Sequence, residues 1–364
     1  MKAGRGRSPF LAAYAAAALS AAYLLLALTM PSPSPAARAE IVEASRLMAR
    51  ATAAVKDCRV SRGIAIDPSA DPNGTGLIGV EQSAITTSAG RLEAKRTTTD
   101  PAFAGLVASL LREAGVRRGD VVAVGASSSF PALIVATLAA AKVMGVEPLV
   151  ISSLGASQWG ANVAEFTWLG MEECLRRAGL IDVVPIARSV GGEGDGGRDM
   201  DPSGRSALAG EIRAGRAPFI QEPDLERNVA RRMALYREHA GPRPIKAFIN
   251  VGGSWANLGT DAEVLKLEPG LARDVFIPPP SRRGVIQAMA AAGVPVIHLL
   301  NVKGLCERYG LPWDPRPLPL PDETGSPAST VGRGTPPALL TAAYIALVAA
   351  VLLGNRRRRL SGIS

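Results

Sequence analysis

The chain has few of the residues that metal sites and nucleophilic hydrolases usually use, with three cysteines and two histidines in 364 residues. Cys58, Cys174 and Cys306 lie far apart and form no C-x-x-C pair, so their spacing excludes the common zinc-site patterns. A dense disulfide framework is excluded as well, because it needs a larger and even number of cysteines. The pattern favours three buried, unreactive thiols, and one disulfide with one free thiol is the alternative.

A nucleotide-binding motif is also missing. The sequence contains no G-x-x-x-x-G-K-[ST], so an ATP-dependent ligase is not expected, and no cofactor is predicted. The two histidines, His239 and His298, are the only partners available for a serine–histidine pair.

Two apolar runs stand at the ends of the chain, each beside a cluster of basic residues. Residues 10–30 follow Lys2, Arg5 and Arg7, and residues 338–354 precede four consecutive arginines. The first run is long enough to cross a bilayer as a helix, and the second needs its flanking residues to do so. Because basic flanks stay in the cytoplasm, the pattern predicts a cell-membrane protein with both termini inside and its middle outside.

The N-terminus has an alternative interpretation as a cleaved signal peptide, because Ala37-Arg38-Ala39 has the A-x-A pattern of a cleavage site. The long apolar run, which ends well before that site, favours a retained anchor. The predicted organisation is a basic cytoplasmic tail (1–9), a transmembrane anchor (10–30), a Pro/Ser spacer (31–38), an ectodomain (39–311), a Pro-rich tether (312–337), a transmembrane helix (338–354) and a second basic tail (355–364).

The net charge of +9 reflects this topology. Removing the seven basic residues that flank the apolar runs from the total of 41 leaves 34 basic against 32 acidic residues. The total therefore gives no evidence for a nucleic-acid partner, which would need a basic stripe on the folded domain.

The central region alternates short apolar runs with helical patterns. Strands are predicted at 121–124, 148–151, 247–251 and 294–299. Helices are predicted at 39–57, 102–114, 131–144, 163–177, 225–239 and 282–292. Continuously apolar strands separated by helices favour an α/β fold with a mostly parallel sheet and helices on both faces.

Small and polar residues follow each of these strands. Ligands of open α/β sheets bind outside the carboxyl ends of the strands, so these loops predict a common crevice. The candidate ligand-binding residues in the loops are Ser127, Ser128, Ser129, Ser157, Trp159, Asn162, Asn250, Ser254, Trp255, Asn257 and Lys303. The alternative is that they are ordinary βα turns with capping serines and asparagines.

The segment Gly125-Ala-Ser127 resembles the strand-to-helix turn that carries the nucleophile of many esterases, although Ser129 replaces its closing glycine. Ser127 as nucleophile with His298 as base would make a hydrolase or transferase. Ser127 as a cap or an anion-binding hydroxyl at a helix N-terminus is the favoured interpretation.

Two charged groups complete the candidate sites. Asp67 and Asp71 lie in a glycine-rich loop that could bind Ca²⁺ or Mg²⁺, but the ligand spacing of an EF-hand is missing, and a loop built on Asx turns is the favoured interpretation. Arg91, Lys95 and Arg96 form a basic group that suits a carboxylate or phosphate, with a solvated surface as the alternative.

Several short segments taken together resemble the bacterial poly-gamma-glutamate system proteins. They are 71–79 (DPNGTGLIG), 83–87 (SAITT), 94–97 (AKRT), 124–132 (VGASSSFPA), 157–162 (SQWGAN) and 166–169 (FTWL). The resemblance covers about residues 39–315 and carries over no catalytic residues. It implies association with a membrane poly-gamma-glutamate synthase. Together with the two anchors and the missing nucleotide and metal motifs, it favours a membrane-anchored accessory protein of the synthesis or export of this capsule or envelope polymer, with the synthase membrane subunits, the polymer and the membrane as partners. An extracytoplasmic, serine-dependent hydrolase or transferase that trims, releases or attaches the polymer is the alternative.

Overall fold

The computed structural model describes residues 11–28, 34–320 and 338–360. The chain divides into two compact units, Met1–Ser34 with Gly332–Ser364 and Pro35–Val331. Of the predicted segments, the first basic tail (1–9) lies outside the described residues. The same holds for parts of the anchor, the spacer, the tether and the second tail.

Helices and strands alternate along most of the chain. The helices of the described ranges are α1 (Leu11–Leu28), α2 (Pro35–Ser61), α3 (Leu92–Thr97), α4 (Ala102–Glu113), α5 (Pro131–Met144), α6 (Trp168–Arg177), α7 (Pro202–Ala214), α8 (Leu225–Ala240), α9 (Trp255–Leu258), α10 (Val285–Ala291), α11 (Val302–Tyr309) and α12 (Ala338–Leu360). The strands are β1 (Val121–Ser127), β2 (Glu147–Ser153), β3 (Asn162–Val163), β4 (Phe166–Thr167), β5 (Ala187–Ser189), β6 (Ile245–Val251), β7 (Gly270–Ala272) and β8 (Val296–Leu299).

The larger unit is built on a six-stranded sheet with the order β5-β2-β1-β6-β8-β7. The five strands from β5 to β8 are parallel to their neighbours, and only the edge strand β7 is antiparallel. The chain builds outward from β1 through β2 to β5, then returns to the other side of β1 with β6 and continues to β8. The direction in which successive strands are added to the sheet therefore reverses between β1 and β6. Doubly wound sheets bind their ligands at such a reversal point. The predicted α/β class with a mostly parallel sheet is confirmed.

Both faces of the sheet are buried, because successive residues of one strand enter different cores. In β1, Val122 and Val124 belong to one core cluster. Val121 and Ala123 belong to the other. The first cluster also contains residues of α2, α4 and α5, and the second contains residues of α8 and α10. Continuously apolar strands fit this arrangement, since neither face meets water.

The sequence of helix α5 accounts for its burial, its start and its end. It is apolar on every side because it packs between the sheet and its neighbours α2 and α4. Pro131 occupies the first turn, where a missing N–H costs nothing. Gly145 ends the helix in the left-handed conformation, with φ of 64°, which a side chain would strain. The boundaries predicted from the sequence match this helix.

Among the predicted boundaries that differ from the structure, three have a clear structural reason. Helix α2 begins at Pro35, inside the predicted spacer, because it buries Ala37 and Ile41. Helix α6 begins only at Trp168, because the preceding residues form the antiparallel pair β3–β4. Residues 312–320, which the sequence assigns to the tether, belong to the larger unit, and Asp314 pairs there with Arg96 at 2.7 Å.

The cysteines form one disulfide, between Cys58 of α2 and Cys174 of α6, and Cys306 is a buried free thiol. The expectation of three free thiols is thereby corrected in favour of its alternative. Spacing along the chain could not show this pair, because the two cysteines are 116 residues apart.

The smaller unit pairs the helices α1 and α12. Ser20 Oγ lies 2.8 Å from the Tyr344 hydroxyl, and Tyr23 OH lies 3.1 Å from Thr341 Oγ1. The rings of Tyr23 and Tyr344 stack with centroids 4.4 Å apart. A later residue of α1 contacts an earlier residue of α12 in these two pairs. The two helices are therefore antiparallel. None of the helices in residues 11–28, 34–320 and 338–360 combines the length and the apolar character needed to cross a membrane.

Candidate functional site

A cavity of about 550 Å³ opens at the carboxyl ends of the sheet strands, beside the reversal between β1 and β6. Residues that follow β1, β2, β6 and β8 line it, together with the segment that leads into α3. Eight of the predicted ligand-binding residues lie in its wall. They are Arg91, Lys95, Ser127, Ser129, Ser157, Ser254, Trp255 and Lys303.

The loop after β1 is held in place by its neighbours. Ser128 Oγ donates to the carbonyl of Ser153 at 2.8 Å and so ties this loop to the end of β2. The N–H of Ser129 donates to Ser127 Oγ at 3.3 Å. Gly125 has no side chain where Asn257 approaches, and a Cβ there would lie 2.3 Å from Asn257 Nδ2. These contacts leave Ser127 and Ser129 facing the cavity, while Ser128 faces the protein.

Lys95 is the buried cation of the site, with 3 % of its surface exposed. Its Nζ donates to Ser157 Oγ at 2.8 Å and to the carbonyl of Ser129, and it lies 3.6 Å from the ring centroid of Phe130. In the described part of the chain no carboxylate bonds to it. Burial lowers the pKa of Lys95 to about 7, because the charged form loses its hydration without gaining a counter-ion. The amine therefore exists in both protonation states near neutral pH.

Ser157 is held from two directions. Its N–H donates to Ser129 Oγ at 3.0 Å, and its Oγ accepts from Lys95. The two loops that follow β1 and β2 are thus joined at the point where Lys95 enters the cavity. Ser157 is 6 % exposed and lies in the wall of the cavity.

Ser254, which follows β6, carries a buried hydroxyl with an unused hydrogen-bonding capacity. It is 6 % exposed, and its Oγ has no partner among the described residues. Buried polar groups are rarely left unpaired, so this hydroxyl, itself sealed from solvent, is an exception among the polar groups near the cavity. Ser254 precedes α9 but makes no capping bond to it.

The mouth of the cavity carries both positively and negatively charged side chains. Arg91 and Lys303 are exposed in its wall, and the nearest acidic partner of Lys303 is Glu307 at 3.9 Å. Glu193 and Asp199 are exposed in the same wall. A ligand that bears carboxylates would lie against the two cations and away from the two acids.

Other residues that the sequence predicts to bind a ligand form hydrogen bonds inside the protein instead. Asn250 donates to the carbonyl of Gly252 at 2.8 Å and contacts His298 Nδ1 at 3.1 Å, and its Oδ1 accepts from Asn257 at 3.0 Å. Burial lowers the pKa of His298 to about 4, so the ring is neutral in the folded protein at neutral pH. The His298 ring bonds to Asn250, and the structure does not bring His298 together with Ser127. The predicted serine–histidine pair has no geometric support.

Trp159, Asn162 and Arg96 also lie outside the cavity wall. Asn162 donates to the carbonyl of Val80 at 2.8 Å and to Thr86 Oγ1 at 2.9 Å. Trp159 has a φ of 64° and pairs through its backbone with the same segment. Arg96 forms a two-pronged ion pair with Asp314, with both N–O distances 2.7 Å. These three residues fasten the loops that surround the cavity, Asn162 and Arg96 through their side chains and Trp159 through its backbone.

The predicted metal ligands Asp67 and Asp71 are engaged by their own loop. Asp71 is buried and accepts from Thr75 Oγ1 at 3.0 Å and from the N–H of Gly76 at 2.8 Å. Asp67 accepts from the N–H of Ser69 at 2.8 Å. Within the ranges that the structure describes, no group of three or more histidine, cysteine, aspartate or glutamate side chains could hold a metal ion. The structure gives the predicted metal site no support.

Comparisons of the chain with protein-family models, with curated proteins and with solved structures find no match. The function is therefore argued from the geometry of the site and from the sequence pattern.

Proposed function

We propose that the chain is a membrane-anchored accessory protein of bacterial poly-gamma-glutamate synthesis or export, and that its extracytoplasmic body binds the polymer in the cavity at the carboxyl ends of the strands. The observation that carries this proposal is the composition of the cavity wall. Arg91 and Lys303 stand at its exposed mouth, and the wall also contains six serines and the buried amine of Lys95.

The chemistry of the polymer suits this wall. Each γ-linked glutamyl residue presents one α-carboxylate and one amide. The carboxylates would meet the exposed cations, and the amides would meet serine hydroxyls of the wall. The volume of about 550 Å³ is within the usual range of small-molecule sites, so it suits a few residues or one end of a chain.

Two observations support the extracytoplasmic part of the proposal. The Cys58–Cys174 disulfide is typical of an oxidising compartment, because cytosolic thiols are kept reduced. The antiparallel pairing of α1 with α12 suits a chain whose two ends emerge on the same side of a membrane. Membrane anchoring itself rests on the apolar runs and basic flanks of the sequence. These terminal segments are the proposed contact with the membrane subunits of the synthase.

The proposal is tested with the full-length protein in detergent and poly-gamma-glutamate of defined length. We expect the two to elute together from a size-exclusion column at about 0.05 M salt and to separate at about 0.5 M salt, because exposed charges are screened at high ionic strength. Separate elution at low salt would refute polymer binding. Equal binding at both salt concentrations would refute its electrostatic basis.

A further inference from the structure

Polymer binding leaves one contact of the cavity unexplained. A cation that serves only to bind carboxylates has no need of a serine hydroxyl at 2.8 Å, yet Lys95 Nζ is held on Ser157 Oγ and on the carbonyl of Ser129. A hydroxyl within hydrogen-bond reach of a base, with the base positioned by a third group, is the arrangement of an activated nucleophile. Lysine can take the place of histidine in such pairs.

We propose that Ser157 and Lys95 form a nucleophile and base pair that cleaves or transfers the γ-amide bond of a glutamyl chain held in this cavity. This inference rests on the proposed function, because it takes its substrate class from it. It differs from the sequence-based pair of Ser127 with His298, whose ring is bonded to Asn250.

The reaction needs the neutral amine at its start. Ser157 Oγ attacks the γ-carbonyl carbon, a C–O bond forms, and the hydroxyl proton passes to Lys95 Nζ. The C–N bond of the amide then breaks, and the same proton passes from Lys95 to the leaving nitrogen. The product is a γ-glutamyl ester of Ser157 and a shortened chain with a free amine. Water, or the amine of another chain, next attacks the ester, loses its proton through Lys95, and returns the hydroxyl to Ser157.

Three features of the cavity suit this sequence of steps. Burial without a counter-ion makes the neutral form of Lys95 available near neutral pH. The Ser129 hydroxyl fixes the backbone of Ser157 at 3.0 Å. The carbonyl of Ser129, which accepts from Lys95 Nζ, fixes the amine beside the Ser157 hydroxyl.

The test uses the full-length protein in detergent, poly-gamma-glutamate of defined length, and two readouts. Size-exclusion chromatography follows binding and chain length, and acid quenching with mass spectrometry detects an ester on the protein. We expect the wild type to shorten the polymer, with a rate that rises as the pH increases through about 7. Ser157→Ala and Lys95→Met should lower the rate about 10²-fold or more. Ser61→Ala, an exposed serine on α2, should retain the wild-type rate.

The outcomes separate this inference from polymer binding. Polymer that elutes with the wild type and keeps its length overturns the inference while polymer binding stands. Polymer that neither binds nor shortens overturns both. Shortening that persists in Ser157→Ala overturns the assignment of the pair. If that variant does not fold, the acid-quenched wild type decides: an ester on Ser157 supports the pair, and an ester on another residue, or none, overturns it.

Discussion

Lys95 Nζ lies 2.8 Å from Ser157 Oγ, although the two residues are 62 positions apart in the chain. The contact joins the short helix α3 to the loop after β2, inside the cavity that both line. It places an amine that has no carboxylate partner among the described residues where water is largely excluded. The stability, the pH response and the proposed chemistry of the site follow from that placement.

The first prediction concerns Lys95 and the pH dependence of stability. Its pKa is about 7 in the folded protein against an ordinary value of 10.5, so between these values the unfolded chain binds the extra proton. The free energy of unfolding should therefore rise with pH across this window. The part due to Lys95 amounts to roughly 2 kcal/mol between pH 7 and about pH 9.

Urea unfolding of the wild type and of Lys95→Met at the two pH values measures this contribution. The wild type should gain stability relative to the variant as the pH rises. A difference between the two proteins that stays constant with pH would contradict the burial of an unpaired amine.

The second prediction concerns His298 and acid. Burial holds its pKa at about 4 against an ordinary value of 6.5, so the unfolded chain binds more protons between these values and stability should fall as the pH falls. From pH 7 to about pH 5 the loss should be roughly 2 kcal/mol. His298→Asn, which keeps an acceptor for Asn250, should remove this loss when unfolding is measured at both pH values. His239→Asn, at an exposed position, is the matched control and should behave like the wild type.

The third prediction concerns the disulfide. Alkylation of the denatured protein without reductant should modify one thiol, Cys306, and reduction should raise the number to three. Loss of the bridge through Cys58→Ser with Cys174→Ser should lower the free energy of unfolding by about 2–5 kcal/mol. Three reactive thiols without reductant, in protein isolated from the cell envelope, would contradict the bridge and the oxidising compartment proposed from it.

The fourth prediction concerns a buried ion pair beside β5. Arg232 Nη2 lies 2.7 Å from Asp195 Oδ2, and both side chains are almost fully buried. Arg232→Met should cost about 3–5 kcal/mol of stability, because it leaves the Asp195 charge buried without its partner. Adding Asp195→Asn should recover part of that loss in thermal or urea unfolding. A double variant less stable than Arg232→Met would contradict this explanation.

The sequence predicts those elements whose pattern is local. The strands β1, β2, β6 and β8 are apolar runs long enough to be recognised, and helix α5 carries its own start and stop residues. The edge strands β5 and β7 escape prediction because each has three residues, and pairing with a neighbour defines them more than their own pattern does.

The sequence predicts where the site lies in the fold, but it predicts only some of the residues that line it. The carboxyl ends of the strands can be located from the strand pattern, and Ser127, Ser157 and Ser254 do line one cavity. The burial of Lys95 could not be predicted, because a six-residue helix with two basic residues and one acidic residue is typical of a solvated surface. Asn250 and Asn257 have the sequence pattern of ligand-binding residues. Sequence alone does not distinguish a polar side chain that faces a cavity from one that forms hydrogen bonds inside the core.

The central claim is that the polymer binds at the mouth of this cavity, and the most direct test compares two double variants with the same change of charge. Arg91→Ala with Lys303→Ala removes the cations of the mouth. Arg177→Ala with Lys246→Ala removes exposed cations outside the cavity wall, with Lys246 near the other end of β6.

The dissociation constant for poly-gamma-glutamate is measured by calorimetry on the full-length proteins at low salt. We expect the first pair of substitutions to weaken binding about tenfold, as the loss of two exposed ionic contacts would. The second pair should leave binding close to the wild-type value. Equal weakening by the two pairs would mean that the polymer responds only to net charge, and it would contradict binding at the cavity.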